Sequence, residues 1–322
     1  PAYVARHHHA VRQEGLDDAG WSLADQAAQD LFDKIRNIGV PLGRYVDGNI
    51  YRGVLTGLNE AFVIDAATRQ QLIAQDPNSA DVIKPFLAGR DIKRYAPLES
   101  GKYLILFPKG FTAANCPGNR GQWDWLQKAY PAIAAHLAPF KEKAEKRYDK
   151  GEFWWELRAC DYYAEFEKPK IMLPDISLRG NFALDDDGNK YCANTAYIIS
   201  NAEHYLLGIL NSALITFFYK NLSSTYRGGY LRFIYQYLML LPIRPINFDD
   251  PVDAARHDRL AGLVDQMLAV NKTLAQSKVP QTNDVLKRQI TAIDGQIDAL
   301  VYELYELTDE EIKILEECNG IC

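Results

Sequence analysis

The feature that most constrains this sequence is a pair of heptad-spaced apolar seams in its last quarter. Leu260, Leu263, Met267, Val270 and Leu274 recur at intervals of three and four, and Leu286, Ile290, Ile293, Ile297, Leu300 and Leu304 do the same. That spacing lines each set along one stripe of an α-helix, and each stripe then needs a partner to cover it. Pro280 and the polar residues 276–283 break the periodicity between the seams. Proline is tolerated in the first turn of a helix and not inside one, so the seams belong to two helices. The economical arrangement is an antiparallel helical hairpin whose seams face each other. Thr308 followed three residues later by Glu311 is a capping-box signal that opens a last short helix.

Before Pro242, Pro245 and Pro251 the pattern is different. Apolar residues spaced by four predict a short N-terminal helix over 21–38, ended by Gly39 and Pro41. Strand-like runs follow at 50–54, 61–64, 103–107, 170–173, 182–184 and 196–199, broken by turn residues such as Asp187-Gly188 and Arg227-Gly228-Gly229. They alternate with helical stretches at 123–147 and 202–219. The reading is α/β (α+β): an N-terminal segment over 1–45, a mixed-sheet domain over 46–250, and the helical hairpin and tail over 251–322.

The charge is unevenly spread. The chain of 322 residues carries a net −6, and residues 251–322 alone hold 7 Lys+Arg against 13 Asp+Glu, so the rest is neutral overall. Residues 82–180 hold 17 basic against 12 acidic residues, with aromatics among them. Such a stretch fits either a solvated face or a nucleic-acid contact. Five cysteines without a CxxC pair suggest reduced thiols rather than a disulfide framework or a zinc site. No apolar run is long enough to span a bilayer, so a cytoplasmic protein without membrane contact is expected. A start at Pro1 is read as the mark of a fragment with a domain upstream. The run His7-His8-His9 has no spaced partner and defines no metal site.

Several segments in order make the reading specific. They are residues 51–65 (YRGVLTGLNEAFVID), 83–95 (IKPFLAGRDIKRY), 155–158 (WELR), 168–171 (KPKI), 210–212 (LNS) and 240–243 (LLPI), with 297–308 (IDALVYELYELT) near the end. Together they resemble the TaqI-like C-terminal specificity domain of combined methyltransferase and restriction enzymes of the Eco57I type (type IIG), over about residues 21–317. The resemblance implies a target-recognition domain that binds duplex DNA of defined sequence and partners an upstream adenine methyltransferase domain. It also implies S-adenosylmethionine as cofactor of the intact enzyme, with Mg a further candidate, and no cofactor in this chain. The Gly-rich cofactor loop and the Asn-Pro-Pro-Tyr type motif that holds a flipped adenine do not occur in the sequence. Two other readings stand beside this one: a type I-like specificity half-subunit with the hairpin as spacer, and a protein-interaction scaffold organised by the hairpin.

On this reading the DNA-contacting candidates are cations and aromatics in turns. Arg90, Lys93 and Arg94 surround Asp91, which engages part of their charge, and the remainder can meet phosphate. Lys146 and Arg147 close a charged helix end that also reads as a solvated face. Trp155 and Arg158 lie in an aromatic run, where strand alternation would send Trp154 and Trp155 to opposite faces. Arg179 and Asn181 flank Gly180, and Tyr226, Arg227 and Arg232 surround a glycine pair, an arrangement that can aim a guanidinium at guanine O6 and N7. Asp81, Asp91 and Lys93 have a nuclease-like order, weighed against their place inside a matched segment.

Overall fold

Among the described residues, short β-branched and aromatic runs between turn residues build eight strands in the unit formed by Ile50–Asp175 and Ala183–Ala202. They are β1 (Ile50–Arg52), β2 (Val63–Asp65), β3 (Ile83–Leu87), β4 (Lys102–Ile105), β5 (Lys170–Pro174), β6 (Ala183–Asp185), β7 (Tyr191–Cys192) and β8 (Ala196–Ile199). The computed structural model describes residues 26–116, 118, 121–223 and 227–320. The start of the N-terminal helix at Trp21, the run His7-His8-His9, and Tyr226 and Cys322 lie outside the described residues.

One sheet has the order β1-β8-β5-β6 and is antiparallel throughout, with Ile198 opposite Met172 and Tyr197 opposite Leu173. Every residue of β5 and β8 is buried, which is why both, apart from Lys170, read as continuous apolar runs rather than alternating ones. The other sheet has the order β2-β4-β3-β7, and its last pair, β3 with β7, is parallel. The strands share one core with Phe62, Phe107, Ile133, Leu157 and Phe166.

Two glycines let backbones meet inside this unit. A Cβ on Gly53 would stand 2.0 Å from the Ala193 carbonyl oxygen, and one on Gly89 would stand 2.3 Å from that of Thr195. Any side chain at either position forces the backbones apart.

The helical stretch expected over 123–147 is broken. It comprises helices Gln122–Ala129 and Pro131–Leu137, a 3₁₀ turn Ala138–Phe140, and a last turn Lys141–Glu145. Pro131 lacks the N–H that would continue the first helix and starts the next one. Between β5 and β6, Lys170 and Asp185 form a fully buried ion pair. Lys170 Nζ also donates to the Phe166 carbonyl (2.7 Å) and the Lys168 carbonyl (3.2 Å), and Asp185 accepts from the Lys190 amide (2.9 Å). Two buried charges are tolerable because these bonds replace the water they lost.

Among the described residues, the second unit draws on 26–49, 176–182, 203–223 and 227–320. Its longer helices are α1 (Gln26–Ile38), α2 (His204–Asn211), α3 (Ala213–Leu222), α4 (Pro251–Gln276), α5 (Pro280–Leu304) and α6 (Asp309–Asn319). The helical stretch read over 202–219 breaks at Ser212, whose hydroxyl caps α3 by accepting from the Ile215 amide at 3.3 Å.

The hairpin is present as α4 and α5. Leu260, Leu263, Val264 and Met267 are buried on α4, and Ile297, Leu300, Val301 and Leu304 on α5. Gly208 of α2 leaves room for α4, since a Cβ there would stand 3.0 Å from Val264 and 3.1 Å from Leu260. Towards the tip Val270, Leu274, Ile290 and Ile293 are half-buried. The Thr308 and Glu311 capping box forms in both directions, at 3.3 and 2.8 Å.

Candidate nucleic-acid interface

The most informative local structure is a two-stranded ribbon in the helical unit. Ile176–Ser177 pairs antiparallel with Leu231–Arg232, placing Ser177 opposite Leu231 and Ile176 opposite Arg232. One face is anchored: Leu231 and Phe233 are buried, and Phe233 stacks on Tyr219 at 4.2 Å and meets Phe182 edge-on at 6.1 Å. The Tyr219 hydroxyl donates to the Arg232 carbonyl (2.6 Å) and accepts from the Ile234 amide (3.3 Å).

The ribbon gathers two groups of sequence candidates about fifty residues apart in the chain. Arg179 is exposed and Asn181 half-buried on one side, and Arg232 is exposed on the other. Between Arg179 and Asn181, Gly180 passes so close to the Leu210 carbonyl that a Cβ would stand 2.7 Å from it. Gly228 and Gly229 both take positive φ, 76° and 78°, which turns the chain back beside Tyr230. Tyr226 is not among the described residues, and of Arg227 only the backbone is described.

A signal missed in the sequence lies here. No Asp or Glu occurs from His204 to Phe248, in a chain that holds 42 of them, while Lys220, Arg227, Arg232 and Arg244 all fall within that stretch. The helical unit therefore carries an acid-free segment that contains one strand of the ribbon, although its hairpin is acidic.

In the β unit the loop after β3 carries three candidates. Asp91 accepts from the Ala88 amide at 2.8 Å, and the Gly89 amide donates to Thr195 Oγ1 at 3.0 Å, so the loop is held from inside. Arg90 projects outward with its Nε 3.9 Å from Asp91, Lys93 is exposed, and Arg94 is half-buried with its guanidinium 4.9 Å from the Tyr95 ring centroid. The Asp91 carboxylate is thus a loop cap, and Asp81 is exposed on the short helix Ser79–Val82. Among the described residues no group of three or more His, Cys, Asp and Glu is placed to hold a metal ion.

The third group divides. Lys146 is exposed and pairs with Glu142 at 2.7 Å, and Arg158 is exposed and lies 3.3 Å from Asp149. Such surface pairs contribute at most about 1 kcal/mol each and exchange readily for other anions. Arg147, read as a solvated helix end, is instead 6% exposed. Its guanidinium donates to the carbonyls of Thr56, Trp154 (2.7 Å) and Glu156 (3.0 Å) and lies 4.4 Å from the Phe62 ring centroid. Burial draws its pKa down to about 10.

Trp154 and Trp155 do not take opposite faces, because residues 153–156 form a turn rather than a strand and both rings enter the core. Trp155 Nε1 donates to Thr112 Oγ1 at 2.9 Å. Buried Glu156 accepts from the amides of Thr112 (2.9 Å) and Glu152 (3.0 Å). Arg147, Trp155 and Glu156 thus form an internal brace under the surface that carries Lys146 and Arg158.

Comparison with known proteins places this architecture. Residues 84–243 match the family model of the TaqI-like C-terminal specificity domain. That match spans just under half of the chain. It is 24% identical over 308 residues to the type II methyltransferase M.BstVI of Geobacillus stearothermophilus, covering 93% of this chain and 46% of that protein. It is 30% identical over 116 residues to the type II methyltransferase M.XhoI of Xanthomonas vasicola, covering 34% of this chain and 21% of that protein. The chain thus spans less than half the length of these relatives. The fold is shared with the type IIL restriction-modification enzyme MmeI, solved in complex with DNA: the TM-score is 0.55 at 13% identity, over 87% of this chain and 35% of that one. No described helix is long and apolar enough to cross a membrane.

Proposed function

We propose that this chain selects the duplex DNA site at which an adenine-specific methyltransferase, or a combined methyltransferase and restriction enzyme, acts. On this reading the catalytic domain lies outside the sequence and binds S-adenosylmethionine, and this chain holds neither cofactor nor catalytic residue. The protein works in the cytoplasm, where its substrate is.

The observation that carries the reading is the ribbon, one strand of which lies inside an acid-free segment, with Arg232 exposed on that strand and Arg179 exposed just after the other, in a chain that matches the specificity-domain family model. Removing acidic residues from a surface matters most where a polyanion must approach. The loop bearing Arg90, Lys93 and Arg94 and the surface bearing Lys146 and Arg158 supply phosphate contacts, which position the duplex without reading it. Arg232, Arg179 and Asn181 are the base-reading candidates, together with Tyr226 and Arg227, which precede the Gly228-Gly229 pair in the sequence.

The test is a titration of labelled duplex with the purified chain at several salt concentrations. Each phosphate neutralised by Lys or Arg adds about −0.9 to the slope of log K against log salt. A slope near zero, or no measurable affinity at low salt, overturns the reading in favour of a protein-interaction scaffold.

A further inference from the structure

The outer face of the ribbon has the opposite polarity from the one expected of a solvated strand pair. Cross-strand partners share a face, so Ile176 and Arg232 point the same way, away from buried Leu231 and Phe233. The alternation continues one step to Leu178 and Tyr230. Ile176, Leu178 and Tyr230 are 44%, 54% and 42% exposed, so three of the four outward residues are large and apolar. No carboxylate lies within residues 176–182 or 227–235. An apolar stripe carrying an arginine and no acidic residue suits a surface that is itself part apolar and strongly anionic.

Duplex DNA offers such a surface in one place. The major groove, about 12 Å wide, admits a two-stranded β-ribbon, whereas the minor groove is about half as wide. Inside the major groove the only apolar group that a base presents is the C5-methyl of thymine. We infer that Ile176 and Leu178 pack against thymine methyl groups in the major groove, so that the ribbon specifies A·T pairs beside those contacted by Arg232. This inference rests on the DNA-recognition reading above and adds to it the groove, the base and the atoms contacted.

The experiment uses the whole chain. Duplexes retained from a randomised pool give the bound motif, which is then remade with deoxyuridine in place of each thymine in turn, a change that removes one methyl and keeps every hydrogen bond. The expected result is a loss of about four-fold in affinity at one or two positions, the worth of one buried methyl. At those positions Ile176→Ala or Leu178→Ala should bind thymine and deoxyuridine duplexes equally while keeping wild-type preference elsewhere in the motif. The inference is overturned by a motif without T·A pairs, by indifference of the wild-type chain to deoxyuridine at every position, or by variants that keep wild-type sensitivity. It is also overturned by concentration-dependent self-association that Leu178→Ala abolishes, since a second copy would then cover the face. Failure of the wild-type chain to enrich any motif sinks the DNA-recognition reading itself, a result distinct from the others. The wild-type deoxyuridine series decides the matter even where a variant folds poorly.

Discussion

Asn211 and Phe182 exchange two hydrogen bonds: the Phe182 amide donates to Asn211 Oδ1 and Asn211 Nδ2 donates to the Phe182 carbonyl, both at 2.9 Å. Asn211 ends α2 and is buried, so one side chain satisfies both backbone groups at the point where the segment carrying Arg179 and Asn181 leaves the ribbon. Asn211→Ala leaves both groups buried and unpaired. The expected cost is about 2–6 kcal/mol, at about 1–3 kcal/mol for each orphaned group. Urea midpoints measure it, and an unchanged midpoint would show that water replaces the amide.

Lys170 and Asp185 predict a non-additive pair. Asp185→Ala strands a buried ammonium group and should cost about 3–5 kcal/mol, whereas Lys170→Met combined with Asp185→Leu should recover most of that loss. A double-mutant cycle by denaturant unfolding checks this. Equal and additive losses would mean that the two charges act independently.

Arg147 and Arg232 should behave as opposites. Arg147→Ala removes donors from four carbonyl groups, those of Ala144, Thr56, Trp154 and Glu156, and should cost at least about 3 kcal/mol of stability. Arg232→Ala, at an exposed position, should stay within about 0.5 kcal/mol of wild type while relaxing base preference at one position. Lys146→Ala should weaken all duplexes alike and flatten the salt slope by about one unit. Thermal unfolding and duplex titration of the three variants separate these outcomes. Weakened DNA binding by Arg232→Ala with no change in sequence preference would reduce Arg232 to a phosphate contact.

Cys192 predicts an alkaline effect. Its thiol is fully buried on β7, and burial pushes its pKa up to about 12, against about 8.5 for a free thiol. From about pH 9 to 12 the unfolded chain has lost a proton that the folded chain keeps, so stability falls as pH rises through that window. Relative to wild type, Cys192→Ala should show a slope shallower by up to about 1.4 kcal/mol per pH unit. Unfolding curves at pH 8.5, 9.5 and 10.5 measure the difference, and parallel slopes would contradict the assigned pKa.

The parts of the fold legible in the sequence were those whose periodicity is local. The seams at Leu260–Leu274 and Leu286–Leu304 and the Thr308 capping box needed no distant partner to be recognised. The ribbon did. Its paired strands are two residues each and lie over fifty residues apart, so Arg179 and Arg232 read as separate turns until the pairing joined them. The acid-free stretch from His204 to Phe248 was the available clue. Arg147 was misplaced because a charged run gives no sign that one cation turns inward, towards carbonyls contributed by Thr56 and by the turn at Trp154 and Glu156.

The most direct measurement of the central claim is sequencing of the duplexes that this chain retains from a randomised pool at moderate salt. Recognition by this chain predicts convergence on one motif, with Arg232→Ala relaxing a single position in it. Retained duplexes as random as the input pool, at any salt concentration that still permits binding, would contradict the claim that this chain chooses the site.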